Sequence, residues 1–144
     1  MAILAGFIGS PAISQQQHIT RAQLEEMFAG IQTQTTWNIN GNMLWGYFFT
    51  SRSKSELEKI ATVLKRNGYR LVEIREREPK APQAAAEWQL HMERVERHTV
   101  DTLYARNGAF ESLAKDHKDV IYEARPTRLP LDAALQASLF RRSQ

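Results

Sequence analysis

The chain has 144 residues, of which 42% are hydrophobic and 24% charged, a composition typical of one ordinary folded domain. It contains no cysteine, which excludes disulfide frameworks, zinc–thiolate sites, iron–sulfur clusters and thiol nucleophiles, and which suits a reducing compartment such as the cytoplasm. The net charge of +3 lies in residues 124–144, so residues 1–123 carry 15 basic and 15 acidic residues. A neutral body disfavours direct binding of nucleic acid.

The N-terminal segment contains an apolar stretch and a predicted helix. No basic residue precedes the apolar residues 1–9, and no apolar run reaches the roughly 18–20 residues of a membrane span. We therefore expect an arm that packs on the domain or on a partner, with no signal peptide and no membrane contact. Thr20 and Gln23 form a capping box that predicts a helix over residues 20–30, which Gly30 would end.

The next two elements are a strand and a helix. Residues 43–49 are a continuous apolar and aromatic run, bounded by turn residues, which predicts a buried strand. Either face of this strand could be the buried one, because both alternate sets of side chains are apolar. Ser53 and Glu56 form a second capping box, and the helix that follows should end at Asn67 and Gly68 in the left-handed conformation.

Three strands and two helices complete the chain. Residues 69–78 predict a strand whose charged end suits a sheet edge, and the alternation in residues 88–93 predicts a half-buried strand. Thr99 is expected to cap a helix that runs to about residue 117, before a short last strand at residues 120–122. A C-terminal amphipathic helix is predicted by the spacing of Leu131, Leu135 and Leu139.

The order of these elements predicts the fold. Strand, helix, strand, strand, helix, strand over residues 37–123 indicates an α+β, ferredoxin-like βαββαβ sandwich, a four-stranded antiparallel sheet with two helices on one face. The first and third strands should be central. Residues 1–36 would form an N-terminal arm and helix, and residues 124–144 a basic tail with its own helix. We expect these flanking helices to cover part of the open sheet face.

The sequence has no recognisable catalytic or cofactor motif. Its four histidines lack the spacing of metal ligands, so we predict no metal. Neither a nucleophile elbow nor a glycine-rich phosphate loop occurs. Glu73, Glu76 and Glu78 alternate with Arg75 and Arg77, a pattern typical of solvated ion pairs. We therefore expect a protein that binds a partner, uses no cofactor and is not an enzyme.

Aromatic residues on the central strands raise the possibility of RNA binding. Ferredoxin-like sheets can stack bases on exposed aromatic side chains, and the candidates here are Tyr47, Phe49 and His91. The third strand, however, lacks the aromatic–glycine signature of RNA-recognition motifs and carries Glu93 and Glu96, which repel phosphate. We therefore interpret the aromatic residues as part of the core.

Several ordered motifs resemble one known family. The strand Trp45-Gly-Tyr-Phe-Phe-Thr50, the helix end Asn67-Gly-Tyr69 and the segment Trp88-Gln-Leu-His-Met-Glu-Arg-Val-Glu-Arg-His-Thr99 resemble regulator of ribonuclease activity B, also called the ribonuclease E inhibitor domain. The resemblance extends over residues 37–123. It implies a small cytosolic protein that binds a ribonuclease and suppresses its cleavage without catalysing a reaction.

Three functions remain open from the sequence. The first is an inhibitor of a ribonuclease. The second is an immunity protein that neutralises a bacterial toxin, since small, cysteine-free, partner-specific domains suit that role and the flanking segments could supply specificity. The third is an RNA-binding module. The sequence does not define the oligomeric state, although an uncovered edge strand would allow pairing with another chain.

A protein partner would meet an electrostatically mixed surface. We predict three binding patches: a strand edge with Arg75, Arg77 and Glu78, a strand face with Gln89, His91 and Glu93, and a basic tail with Arg125 and Arg128. Charges at the rim of an interface act mainly on the association rate, so charge reversal in these patches should slow binding more than it destabilises the fold.

Overall fold

The computed structural model describes residues 19–79 and 81–124, so the predicted N-terminal arm, the C-terminal helix, Arg125 and Arg128 lie outside the described residues. No helix in the described ranges has both the length and the apolar character needed to cross a membrane. The elements, in chain order, are α1 (Arg21–Gln34), β1 (Met43–Ser51), α2 (Lys54–Arg66), β2 (Arg70–Arg77), β3 (Glu87–Glu96), α3 (Val100–Lys115) and β4 (Val120–Tyr122).

Local capping residues begin two of the helices as predicted. Thr20 Oγ1 accepts a hydrogen bond of 3.2 Å from the backbone N–H of Gln23, whose Oε1 accepts one of 2.9 Å from the backbone N–H of Thr20. Thr99 caps α3 through an equivalent box. Helix α1 continues for one more turn past Gly30, its predicted end, because that turn buries Ile31 in the core.

The capping box predicted at the start of α2 is wrong. Ser53 occupies the N-cap position, but its side chain makes no capping hydrogen bond. The carboxylate of Glu56 instead lies 2.8 Å from Lys59 Nζ and 2.9 Å from His117 Nδ1. These two side chains hold the carboxylate away from the backbone of the N-cap residue, so the box does not form.

The strands form one antiparallel sheet in the order β2-β3-β1-β4, with β1 and β3 in the centre as predicted. All nine residues of β1 pair with β3, which extends beyond its predicted end to Glu96. The pairing of β2 with β3 is interrupted between Leu71 and Glu73, where Val72 is an extra residue. Within the described residues, β2 is the longer of the two edge strands.

One face of the sheet, the core face, is covered by helices. Trp45, Tyr47 and Phe49 of β1 are buried there, which answers the question that the sequence left open, and Leu90 and Met92 of β3 lie beside them. The core also takes side chains from all three helices. The opposite side, the outer face, carries alternate residues of the same strands, among them Leu44, Phe48, Thr50, Arg75, Gln89, His91 and Glu93.

Helix α1 lies on the core side of the sheet. It packs against α3, and the ring of Phe28 stacks on Trp45 with 6.2 Å between the ring centroids. Our expectation that this flanking helix covers the open face of the sheet is therefore wrong. The apolar side chains of α1 reach the core beside the first strand instead, and Leu24 is fully buried.

Phe110 of α3 lies at the centre of an aromatic cluster. Its ring centroid is 4.9 Å from that of Tyr47, 5.5 Å from Phe49, 5.6 Å from Tyr69 and 5.5 Å from Tyr122. Most of these contacts have the edge-to-face geometry that aromatic rings prefer. The cluster therefore fastens α3 to both β1 and β4.

We expect Phe110→Ala to lower the free energy of unfolding by about 3–5 kcal/mol, because it removes a buried ring from the middle of four others. Urea unfolding followed by circular dichroism would measure the change. The matched control is Val63→Ala on exposed α2 surface, which should cost less than about 1 kcal/mol. Equal losses in the two variants would contradict the central role of Phe110.

Candidate functional site

Most of the predicted binding residues of β2 and β3 lie on one face of the sheet. Gln89, His91 and Glu93 alternate along β3, so all three belong to the outer face. Arg75 is paired with Gln89, and Glu73 is paired with His91, so these β2 side chains lie on the same face. The strand edge and the strand face that we predicted as separate patches are therefore neighbours.

A network of polar contacts joins β2 to the residues after β4. Gln89 Oε1 accepts hydrogen bonds from Arg75 Nη2 at 3.0 Å and Nε at 3.3 Å, and Gln89 Nε2 donates to Glu123 Oε2 at 3.0 Å. Arg77 Nη1 donates to Glu123 Oε1 at 2.7 Å. Gln89 is buried, so it holds the arginine and the glutamate in position and contributes little surface of its own. Glu78 is exposed just after β2.

Two further outer-face residues also have defined neighbours. Glu93 is buried and forms an ion pair with Arg70, which lies opposite it on β2. The ring of His91 stacks on Phe48, its paired residue on β1, with 4.3 Å between the ring centroids and 21° between the planes. Both rings of this stack are partly exposed.

The aromatic residues considered for RNA stacking are buried. Tyr47 and Phe49 point into the core face, where they contact Phe110. Neither ring can therefore accept a base on the sheet surface. The interpretation of these two residues as core aromatics is confirmed.

A second polar group, which the sequence analysis missed, lies at the junction of β1, β3 and α3. We call Tyr47, Glu96, His98 and Arg106 the Glu96 cluster. Glu96 Oε1 accepts hydrogen bonds from Tyr47 Oη at 2.5 Å and from Arg106 Nη1 at 2.7 Å, and it lies 3.1 Å from His98 Nε2. The same His98 nitrogen is 2.9 Å from Tyr47 Oη.

The electrostatics of the Glu96 cluster follow from these contacts. Burial alone would raise the pKa of Glu96, but hydrogen bonds from His98, Tyr47 and Arg106 outweigh burial and lower this pKa to about 2. Burial raises the pKa of the Tyr47 hydroxyl, and its hydrogen bond to the Glu96 carboxylate raises it further. Glu96 is thus held as an anion and Tyr47 as a hydrogen-bond donor, so the contact between them stabilises the structure.

The described histidines are engaged with neighbouring side chains. His91 stacks on the outer face, His98 belongs to the Glu96 cluster, and His117 bonds Glu56. His18 lies outside the described residues. In the part of the chain that the structure describes, no three histidine or acidic side chains gather as metal ligands.

The fold and this outer face define a class of protein: a small α+β domain whose sheet carries paired charges on the side opposite the helices. A family model described as regulator of ribonuclease activity B matches residues 21–124. The chain belongs to this family, as the motifs had indicated. The match begins at α1, a helix that the resemblance did not include. The comparison with curated proteins gave no match.

We expect Glu96→Gln to lower the free energy of unfolding by about 2–3 kcal/mol at neutral pH, because the amide leaves Arg106 without its charged partner. A carboxylate whose pKa folding lowers stabilises the fold above its ordinary value of 4.5 and loses that contribution as the pH falls towards about 2. The stability difference between wild type and variant should therefore shrink across this range.

Urea unfolding of both proteins from neutral pH down to about pH 3 would measure this convergence. Glu25→Gln on the exposed side of α1 is the matched control, and it removes one carboxylate from the surface. A difference between wild type and Glu96→Gln that stays constant across the acidic range would contradict the assignment of Glu96 as a stabilising anion.

Proposed function

We propose that the protein binds a ribonuclease of the ribonuclease E type and suppresses its cleavage of RNA, without catalysing a reaction itself. The observation that carries this proposal is the family match over residues 21–124, which includes every described helix and strand. Regulation of ribonuclease activity is the role that the family's description gives. The choice of ribonuclease E rests on the motifs in β1, at the end of α2 and in β3.

We further propose that the fold is a ferredoxin-like sandwich within residues 37–123. The antiparallel order β2-β3-β1-β4 supports this, because two βαβ units with one helix after each first strand produce that order. In this proposal α1 is an addition from the N-terminal segment, and residues 124–144 form a basic tail. The absence of cysteine supports a cytoplasmic location.

The outer face is the surface proposed to meet the ribonuclease. Arg75 and Glu73 are each about half exposed there, so the face presents both signs of charge to a partner. Gln89 and Glu93, which are buried, would act by holding Arg75 and Arg70 in position. Arg125 and Arg128 follow Ala124, the last described residue, and are proposed to extend the same charged surface.

The test of the proposed function is an RNA cleavage assay with purified ribonuclease E and a standard RNA. Stoichiometric protein should reduce the cleavage rate, and direct binding to the ribonuclease should be measurable by surface plasmon resonance. Unchanged cleavage with no binding would remove ribonuclease E as the partner. Inhibition that depends on binding to the RNA alone would point instead to an RNA-binding module.

We expect Arg75→Glu to slow association with the ribonuclease by about tenfold while leaving thermal stability within a few degrees of wild type, because an exposed charge acts mainly on the encounter. Lys118→Glu, at an exposed turn after α3, makes the same change of charge away from the outer face and is the control. Equal association rates for the two variants would exclude Arg75 from the interface.

A further inference from the structure

The neutral charge balance of the body conceals an uneven distribution. Residues 59–72 contain four cations and no acidic residue. The end of this segment meets the end of β3, because Arg94 Nη1 donates a hydrogen bond of 3.3 Å to the carbonyl oxygen of Asn67. Between α2 and β2 the chain turns at Gly68, which has the predicted left-handed conformation with φ of 87°. We call the cationic side chains of these segments the basic corner, in which Arg70 lies on the outer face of the sheet and Arg94 on the core face: Lys65, Arg66, Arg70, Arg94 and Arg97.

The acidic residues at the same end of β3 are little exposed. The side chain of Glu93 is 3% exposed and pairs with Arg70, and that of Glu96 is 12% exposed and pairs with Arg106. In contrast, Arg70 is 66% exposed and Arg94 is 40% exposed. The carboxylates at this end of β3 are therefore less exposed than the arginines beside them.

The segments that carry these cations also carry exposed apolar side chains. The described residues include four exposed large hydrophobic side chains, and three of them lie within the segments that form the basic corner. These are Val63, Val72 and Val95, which are 39%, 41% and 51% exposed. Apolar side chains beside exposed cations are typical of protein interfaces, where an apolar contact is surrounded by charge.

We propose that the basic corner docks an acidic segment of a partner protein, one that also carries apolar side chains. This inference rests on the proposed function, because it describes the part of the ribonuclease that the protein would recognise. The arginines attract carboxylates and the valines contact the partner's apolar side chains. Arg94 is already held by Asn67 and by the ring of Tyr69, 5.1 Å below its guanidinium, so ordering it costs little on binding.

The same observations favour protein over RNA as the occupant. Single-stranded nucleic acids are bound by basic grooves that also offer aromatic rings on which bases stack. The aromatic residue of this corner, Tyr69, is buried, and both Arg94 and Arg106 lie over its ring. The exposed valines offer apolar contact, which a sugar–phosphate backbone uses little.

The experiment is an NMR titration of the full chain with a synthetic twelve-residue peptide of alternating Glu and Leu. We expect amide shifts concentrated in residues 63–72 and 93–97, weakening as salt is added. Arg66→Glu combined with Arg97→Glu should reduce affinity about tenfold or more. The control combines Lys115→Glu with Lys118→Glu. Arg66 and Lys115 both lie in the last turn of a helix, so the two double variants carry a similar cost in helix stability.

Two results would overturn the proposal. One is equal affinity of the corner variant and the control for the peptide. The other is tighter binding of a twelve-residue oligouridine than of the peptide at the same salt. The two double variants would also be compared in the ribonuclease E assay. If both double variants still inhibit the ribonuclease, the docking surface is overturned and the proposed function stands. If the peptide binds at the basic corner but the wild-type protein does not inhibit, the docking surface is supported and the proposed function is removed.

Discussion

The carboxylate of Glu96 joins β1, α3 and the segment between β3 and α3 through side-chain contacts. Tyr47 reaches it from β1, Arg106 from α3, and His98 from the segment between β3 and α3. A buried carboxylate is costly unless strong donors surround it, so the structure is favourable only when all these groups are in register. The Glu96 carboxylate therefore acts together with the aromatic cluster around Phe110 to hold α3 on the sheet.

Polar side chains that are little exposed also hold arginines elsewhere on the sheet. Near the end of β3, Glu93 is buried and Glu96 is only 12% exposed, and each carboxylate pairs with an arginine. On the outer face, the buried Gln89 has a comparable role toward Arg75. The chain is neutral over residues 1–123, but parts of its surface can still carry a net charge. This is possible because burial removes charges of one sign from contact with solvent.

Much of the fold could be predicted from the sequence, because the signals are local: the N-caps at Thr20 and Thr99 and the left-handed Gly68 define element ends by contacts within a few residues. The features that the sequence did not predict depend on contacts between residues that are distant in the chain. The buried face of β1 depends on where Phe110 packs, and the box at Ser53 fails because His117, 61 residues away from Glu56, binds that carboxylate. The site was predicted in part: the charged residues were identified, but their assembly on one face required the strand pairing.

The extra residue in β2 has a consequence for how this sheet can meet others. Because Val72 interrupts the alternation, Arg70 and Glu73 lie on the same face although they are three residues apart. A strand that added to this edge would have to match that break, and an ordinary straight strand cannot do so along the full length of β2. The inserted residue therefore disfavours the pairing of this edge with a strand from another molecule. The charged side chains of β2 act in the same direction.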